Sequence, residues 1–369
     1  MIPQEEYMEK IARRNLEFFL EQGYATAGHN GPHGHKDTPV RNTAHYLVIY
    51  SYLYKKYGEE KFAQVCQLFF SYLKECQEKT KSGAIQCMIT DRFDRLNGLI
   101  GQGWVIESLI YYYETFKVDE ALRVAKKIYD SQKYQWDKHL WHRIDLDGTD
   151  LGIDVTSNHN VWFAACSYKL AEYLNAPEID EEIQDFLTKG QHIILNTYSN
   201  GLMVHRVVCK DPQFKKGRWK RIVRQVLTPV KFLNPRKLDS HYMENAYHIF
   251  DIYGFLLLKE KYGHLPIFNS DSFLHAVALS KDVRKLEKLN KTTDIKTANA
   301  YYYTYNSPTF EWPYVAKALG FYDEGVAKEL YANQERLTYN PSMDDFSLNN
   351  PDIETWNART YEIIRYLDL

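Results

Sequence analysis

Apolar residues recur every three or four positions along most of the chain, which is the period of a helix with one buried face. The pattern predicts twelve helices, at 3–22, 39–57, 59–76, 98–116, 118–131, 155–175, 178–197, 240–261, 268–280, 308–320, 322–334 and 351–368. Short linkers such as 56–59, 117–118, 175–177 and 320–321 alternate with long ones at 77–97, 132–154, 198–239, 281–307 and 335–350. A short loop places its two helices antiparallel, so the helices pair into hairpins and the long loops gather at one end. The even-numbered helices are the more aromatic and less charged set, as in GLIGQGWVIESLIYYYETF at 98–116. Helices apolar all round belong inside, whereas DEALRVAKKIYD at 119–130 carries a charged face and belongs outside. Six inner and six outer helices make an all-α (α/α)6 toroid, a single domain over 1–369, with small β-hairpins in the long loops. A stack of equal repeats is disfavoured, because His45, Trp104, Trp162, Tyr247, Trp312 and Tyr361, near the inner-helix starts, are unevenly spaced.

Composition agrees with this picture. Eighteen Gly and twelve Pro in 369 residues are too few for a sandwich, a barrel or a disordered chain. Aromatics reach 15%, which suits an aromatic-lined interior. With 46 basic against 48 acidic residues, nucleic acid is not an expected partner. Five cysteines without a Cys-x-x-Cys pair give neither a disulfide framework nor a zinc site, so no metal or cofactor is expected. The opening MIPQEEYMEK is no signal peptide and no run of 18 apolar residues occurs, so a cytoplasmic location is expected. One segment departs from the balanced charge. Between 210 and 237 stand ten Lys or Arg and a single acid, with Trp219, Ile222, Val223, Val226 and Leu227 on one helical face. This insertion reads either as a lid or as a contact with an anionic membrane surface on the inner face.

Candidate chemistry clusters where the inner helices begin. Thr38 is a good N-cap and Pro39 fits the first helical position, which puts Asp37 at the mouth of the ring with Arg41 and His45 one turn apart. His29, His33 and His35 in the preceding Gly-rich loop read as polar loop groups or sugar-contacting donors rather than metal ligands. In DRFDRLNGLIGQGWVIES, Asp91, Gln102 and Trp104 are reachable, and the glycines at 98, 101 and 103 imply close approach by a neighbour or a ligand. Asp154 stands just before the next inner helix, whose first turns carry Asn158, His159 and Trp162. Glu244, Tyr247 and His248, then Glu311 and Trp312, then Glu354 and Arg359, repeat the pattern on the remaining inner helices. Across a six-fold ring Asp37 would face Glu244, and Asp154 would face Glu354. Opposed carboxylates are what glycosidic bond cleavage requires.

The alternating hairpins, the run GLIGQGWVIESL and the Asp before an inner helix resemble the six-hairpin glycosidase-like superfamily over nearly the whole chain. DTPVRNTAH at 37–45 and SNHNVWFAA at 157–165 resemble toroid proteins of surface-polysaccharide and archaeal glycosylation clusters. That resemblance implies a carbohydrate-active enzyme acting on an oligosaccharide or lipid-linked glycan, with a uronate-containing glycan as one alternative. The first expectation is a glycoside hydrolase using Asp37, Asp154 and Glu244. Two alternatives are an epimerase, isomerase or lyase with His159 or His248 as base, and a non-catalytic glycan-binding toroid. Trp104, Trp162, Tyr247 and Trp312 would stack on sugar rings, and Arg41 or Arg359 would hold an acidic sugar.

Overall fold

The computed structural model describes residues 2–90, 94–207 and 241–369. Asp91, Cys209 and the basic insertion 210–237 lie outside the described residues. The helices that set the architecture are α1 (Pro3–Gln22), α2 (Val40–Tyr57), α3 (Glu60–Glu78), α4 (Gly98–Phe116), α5 (Asp119–Asp130), α6 (Ser157–Tyr173), α7 (Pro177–Thr188), α8 (Tyr242–Tyr262), α9 (Asp271–Lys281), α10 (Pro308–Ala318), α11 (Glu324–Thr338) and α12 (Ile353–Arg359). In the long α5–α6 loop a three-stranded antiparallel sheet, β1 (Lys133–Gln135), β2 (Leu140–Ile144) and β3 (Asp150–Ile153), runs in the order β1-β2-β3. The Asp147-Gly148 turn joins its last two strands, which pair His142 with Ile153 and Ile144 with Asp150.

The even-numbered helices form the inner ring. Each touches the next, α2 to α4, α4 to α6, α6 to α8 and α8 to α10; the helical residues that continue α12 touch α10, and α12 itself closes on α2. Odd-numbered helices cover them from outside, α3 against α2 and α4, α5 against α4 and α6. This is the expected (α/α)6 toroid. The sequence dictates it through burial on all sides: in α4 every residue from Gly98 to Tyr112 is buried, whereas α5 buries only Ala121, Leu122, Val124, Ala125, Ile128 and Tyr129.

Beyond shifts of a few residues at helix ends, three elements differ from expectation. The helix expected at 178–197 ends at Thr188, because the chain turns at Gly190, where a Cβ would meet the Phe186 carbonyl, and resumes as the single turn Gln191–Ile194. A seven-residue helix, Val283–Leu289, lies in the loop expected at 281–307, N-capped by the Asp282 side chain accepting from Lys285 N. The last inner helix is α-helical only through Arg359 and continues as a 3-10 turn, Thr360–Ile363, before Ile364–Asp368. Among the described residues no helix is long and apolar enough to cross a membrane.

Candidate functional site

The long loops enclose a cavity of about 1040 Å³ at the end where the inner helices begin. Of the residues expected to act, Asp154, Asn158, His159, Glu244, Tyr247, Trp104 and Arg359 line it.

Asp154 and His159 are built by the start of α6 together with that of α4. The Asp154 carboxylate accepts from Leu99 N at 3.0 Å and Thr156 N at 3.0 Å, and from His159 Nδ1 at 2.8 Å. Burial alone would raise this carboxyl, yet His159 beside it, with Arg143 farther off, holds it well below the usual carboxylate range. With Nδ1 committed to a carboxylate, Nε2 is the ring atom left for a ligand. The His159 side chain remains one quarter exposed while that of Asp154 is almost wholly covered. Glycine at 98 is required here. Its φ is +64°, and a Cβ would run into His159 Nδ1 and Asp154 Oδ2. Asp94 holds the same corner, accepting from Gly98 N at 2.7 Å and pairing with Arg143, which β2 delivers to the cavity wall.

An aromatic and imidazole wall forms the other part of the site. His33, on the turn Gly31–His33, bonds Tyr247 Oη through Nε2 at 2.9 Å and lies 4.8 Å from the Tyr301 ring. Burial, with His35, Arg41 and His159 nearby, pushes its imidazole down to about 4. His205, 4.9 Å from the Tyr247 ring, is pushed down to about 3, first by burial and then by His159 and His33. Both rings are therefore neutral at pH 7. Antiparallel pairing of Thr156 with Arg206, and Ser157 N bonding His205 O at 2.9 Å, hold this strand-like stretch against the start of α6.

Several expected site residues sit elsewhere. Asp37 is buried beside Arg41, 3.5 Å away, behind the wall rather than at the mouth, because its backbone pairs with Met88 and turns it inward. Arg41 is covered by Trp104, with 4.4 Å between its guanidinium carbon and that ring's centre, and bonds Asn30 and Tyr305. His45 lies deeper, stacked 4.4 Å from Tyr361. Gln102 pins Ile85 through two backbone bonds of 2.8 and 2.9 Å. Trp162 stacks 4.5 Å from Phe250 and donates to its carbonyl, so its ring is buried in the α6–α8 contact and not on the cavity wall. His248 and Trp312 face outward, bonding Ala276 O and Ser280 O respectively. Glu311 is buried at 3.1 Å from Arg359, whose guanidinium is also claimed by Glu362 and Asn306 and so is not free for an acidic sugar. Glu354 is not on the cavity wall; burial, with Asp352 and Asp345 near it, pushes its carboxyl up. The expected facing pairs, Asp37 with Glu244 and Asp154 with Glu354, therefore do not both reach the cavity in either case.

Arg143, His205, Tyr301 and Tyr305 line the cavity without having been singled out from the sequence. For the two tyrosines a signal existed, the run YYYTY at 301–305 inside a long loop of the functional end. Among the described residues no group of three or more His, Cys, Asp and Glu side chains is disposed to hold a metal ion.

No family model matches the chain. It is 28% identical to archaeal glycosylation protein Q of Haloferax volcanii over 366 residues, which covers 97% of this chain and 95% of that protein. Among solved structures it resembles cellobiose 2-epimerase from Spirochaeta thermophila, with a TM-score of 0.60 at 10% identity, covering 99% of this chain and 98% of the other. It also resembles a D-mannose isomerase, with a TM-score of 0.58 at 10% identity and 98% of each chain covered. An unsaturated glucuronyl hydrolase specific for heparin matches at a TM-score of 0.53 and 10% identity, over 99% of this chain and 98% of that one. On the ring of helices and on these likenesses together, the chain has the (α/α)6 toroid fold.

Proposed function

We propose that the protein is a carbohydrate-active enzyme that epimerises or isomerises a sugar, with His159 as the general base. One observation carries this reading: the buried, ionised Asp154 fixes His159 Nδ1 at 2.8 Å and leaves Nε2 as a basic lone pair on the cavity wall. In the reaction a C–H bond next to a carbonyl breaks, its proton passes to Nε2, and the electron pair forms an enediolate. Return of the proton from Nε2 to the neighbouring carbon gives the isomer, and its return to the first carbon after the enediolate has turned over in the cavity, presenting the opposite face to Nε2–H, gives the epimer. Tyr247 and the neutral His33 and His205 are placed to hydrogen-bond the oxygens on which charge develops. Support for a sugar substrate comes from the fold shared with sugar-processing enzymes and from the glycosylation-related relative. A sugar or oligosaccharide with a free reducing end, which opens to the required carbonyl, is the substrate class this favours.

The hydrolase reading loses support because Asp37 and Glu354 are not on the wall; it would have to use Asp154 with Glu244, which both line the cavity. The two reactions separate cleanly in heavy water. A glycan and sugar library is incubated in D2O and products are weighed. Proton transfer inserts deuterium at carbon without adding water, and His159→Asn should lower the rate about a hundredfold or more. Addition of water with no carbon-bound deuterium, or full activity in His159→Asn, would defeat the proposal.

A further inference from the structure

The ring closes at a seam between its first and last hairpins, and one carboxylate bridges it. Asp352 is buried, N-caps α12 by accepting from Thr355 N at 3.3 Å, and at the same time accepts through Oδ2 from His29 N at 3.0 Å and Gly31 N at 2.6 Å. Those two amides belong to the loop that ends in the turn carrying His33. The loop is shaped to receive the carboxylate. At Gly28 a Cβ would collide with Thr355 Oγ1 and Asp352 Oδ1, and at Gly31, with φ +57°, it would enter the Tyr305 ring. Asn30, between the two donors, has φ +60° and turns its Oδ1 to Arg41 Nη1 at 2.7 Å and Tyr305 Oη at 2.6 Å. A carboxylate that accepts backbone N–H bonds makes charge-assisted contacts about twice as strong as neutral ones.

We propose that Asp352 is a positioning residue: by clamping the His29 and Gly31 amides across the seam it fixes His33 against Tyr247 on the cavity wall. The role of that wall in catalysis rests on the function proposed above, but the clamp itself does not. Two duties are combined in this side chain, capping α12 and holding the loop, and they can be separated. Asp352→Ser keeps a good N-cap but is too short, and uncharged, to hold two amides 323 and 321 residues away in sequence. Asp352→Asn keeps the length and removes the charge.

The test needs no substrate. His33 is followed by NMR through a pH titration of its imidazole, alongside thermal unfolding, in the wild type, in both variants, and in Asp323→Asn, which makes the same charge-removing change at the N-cap of α11, far from the loop. His33 is faced by His35, Arg41, His159 and Tyr247, and in the wild type it should stay neutral down to about pH 4. In Asp352→Ser and Asp352→Asn the freed ring should titrate near the ordinary histidine value of about 6.5, while Asp323→Asn leaves it unchanged. A folded Asp352 variant in which His33 titrates as in the wild type overturns the proposal. Hydrogen exchange in the wild type decides the matter independently of whether the variants fold. The His29 and Gly31 amides should be protected at least about tenfold, and unprotected exchange overturns the clamp. Loss of deuterium incorporation in Asp352→Ser, with substrate KM little changed, would tie the clamp to turnover. Full activity in His159→Asn would instead defeat the base assignment and leave the clamp standing.

Discussion

Asp37 shows how one buried group makes stability depend on pH. Burial pushes its carboxyl up to about 6, even with Arg41 at 3.5 Å pulling the other way. The unfolded chain releases that proton near pH 4, so between about pH 4 and 6 the folded state binds more protons and stability falls as pH rises. The stability is fully present below the unfolded value and is lost as pH passes the folded one. Asp37→Asn mimics the protonated form, so we expect it to stabilise the protein by roughly 3 kcal/mol above pH 7 and to change little near pH 4. Urea unfolding at the two pH values checks this, and equal effects at both would contradict it. Gly98 offers a matched comparison. Gly148 shares a positive φ, +93°, but has open space around it, so alanine there costs only backbone strain, about 1 kcal/mol. Gly98→Ala adds the collision with His159 and Asp154, and should lower stability by about 3 kcal/mol and abolish the His159-dependent reaction. The glycines at 98, 101 and 103 were visible in the sequence as a sign of close approach; which atoms approach was not, because the neighbours of Gly98 and Gly103 come from residues 154–163, far along the chain, while Gly101 is approached by Leu96 O and Cys87 Sγ. The same limit explains Asp37. Its position next to a helix start was legible, but the inward turn depends on pairing with Met88, 51 residues away, which no local pattern encodes.

At the scale of elements, periodicity predicted well wherever a helix buries a continuous face and less well where a terminus is set by one contact. The six inner helices were legible because residues such as Trp104, Tyr111 and Tyr112 leave α4 without a polar side. The break at Gly190 was not, since Ile193, Ile194 and Leu195 continue the apolar period straight through it. The small helix Val283–Leu289 carried a readable cap in Asp282, but seven residues are too few for a period to stand out. His248 and Trp312 illustrate a related ambiguity. A helix buried all round has no sequence mark telling its cavity face from the face against its outer partner, so both were expected on the wrong side. Packing between inner helices is testable at Gly103, where a Cβ would stand 3.1 Å from Phe163 Cα and 3.3 Å from the Trp162 carbonyl. Gly103→Leu cannot be accommodated without parting α4 from α6, and we expect a loss of about 3 kcal/mol. Because α6 carries His159, reaction rate should fall with it; a variant of wild-type stability would show that the two helices are not in this close register.

At the scale of the whole molecule, the decisive feature is closure of the ring. An open array of helical hairpins has stability that is nearly a sum over neighbours, so damage at one end stays there. Here the chain ends meet. Tyr7 in α1 donates to Asn357 Oδ1 at 2.8 Å, and Trp356 of α12 packs edge-on to Tyr7 at 5.7 Å and against Phe346 and Phe310 at 5.1 and 5.2 Å. Trp356 also donates to the Tyr303 carbonyl at 2.7 Å, which ties the seam to the loop bearing Tyr301 and Tyr305. Trp356→Ala removes a fully buried ring and one of the two bonds to that carbonyl, which still accepts from Gln334 Nε2 at 3.2 Å, and should cost about 3–5 kcal/mol. The informative quantity is where the cost appears. In a closed ring, parting α12 from α2 exposes both faces of the seam and removes the support of α10, so no half of the toroid has a complete core of its own. Two probes on unfolding are enough to see this, one at the seam and one at Tyr129 and Phe163, whose rings stack 5.3 Å apart at the α5–α6 contact away from it. We expect both transitions in Trp356→Ala to move to lower denaturant together, with one shared midpoint. If the seam probe alone shifts while the α5–α6 probe keeps its wild-type midpoint, the ring behaves as an open array in solution and the closure seen between α12 and α2 contributes little to its stability.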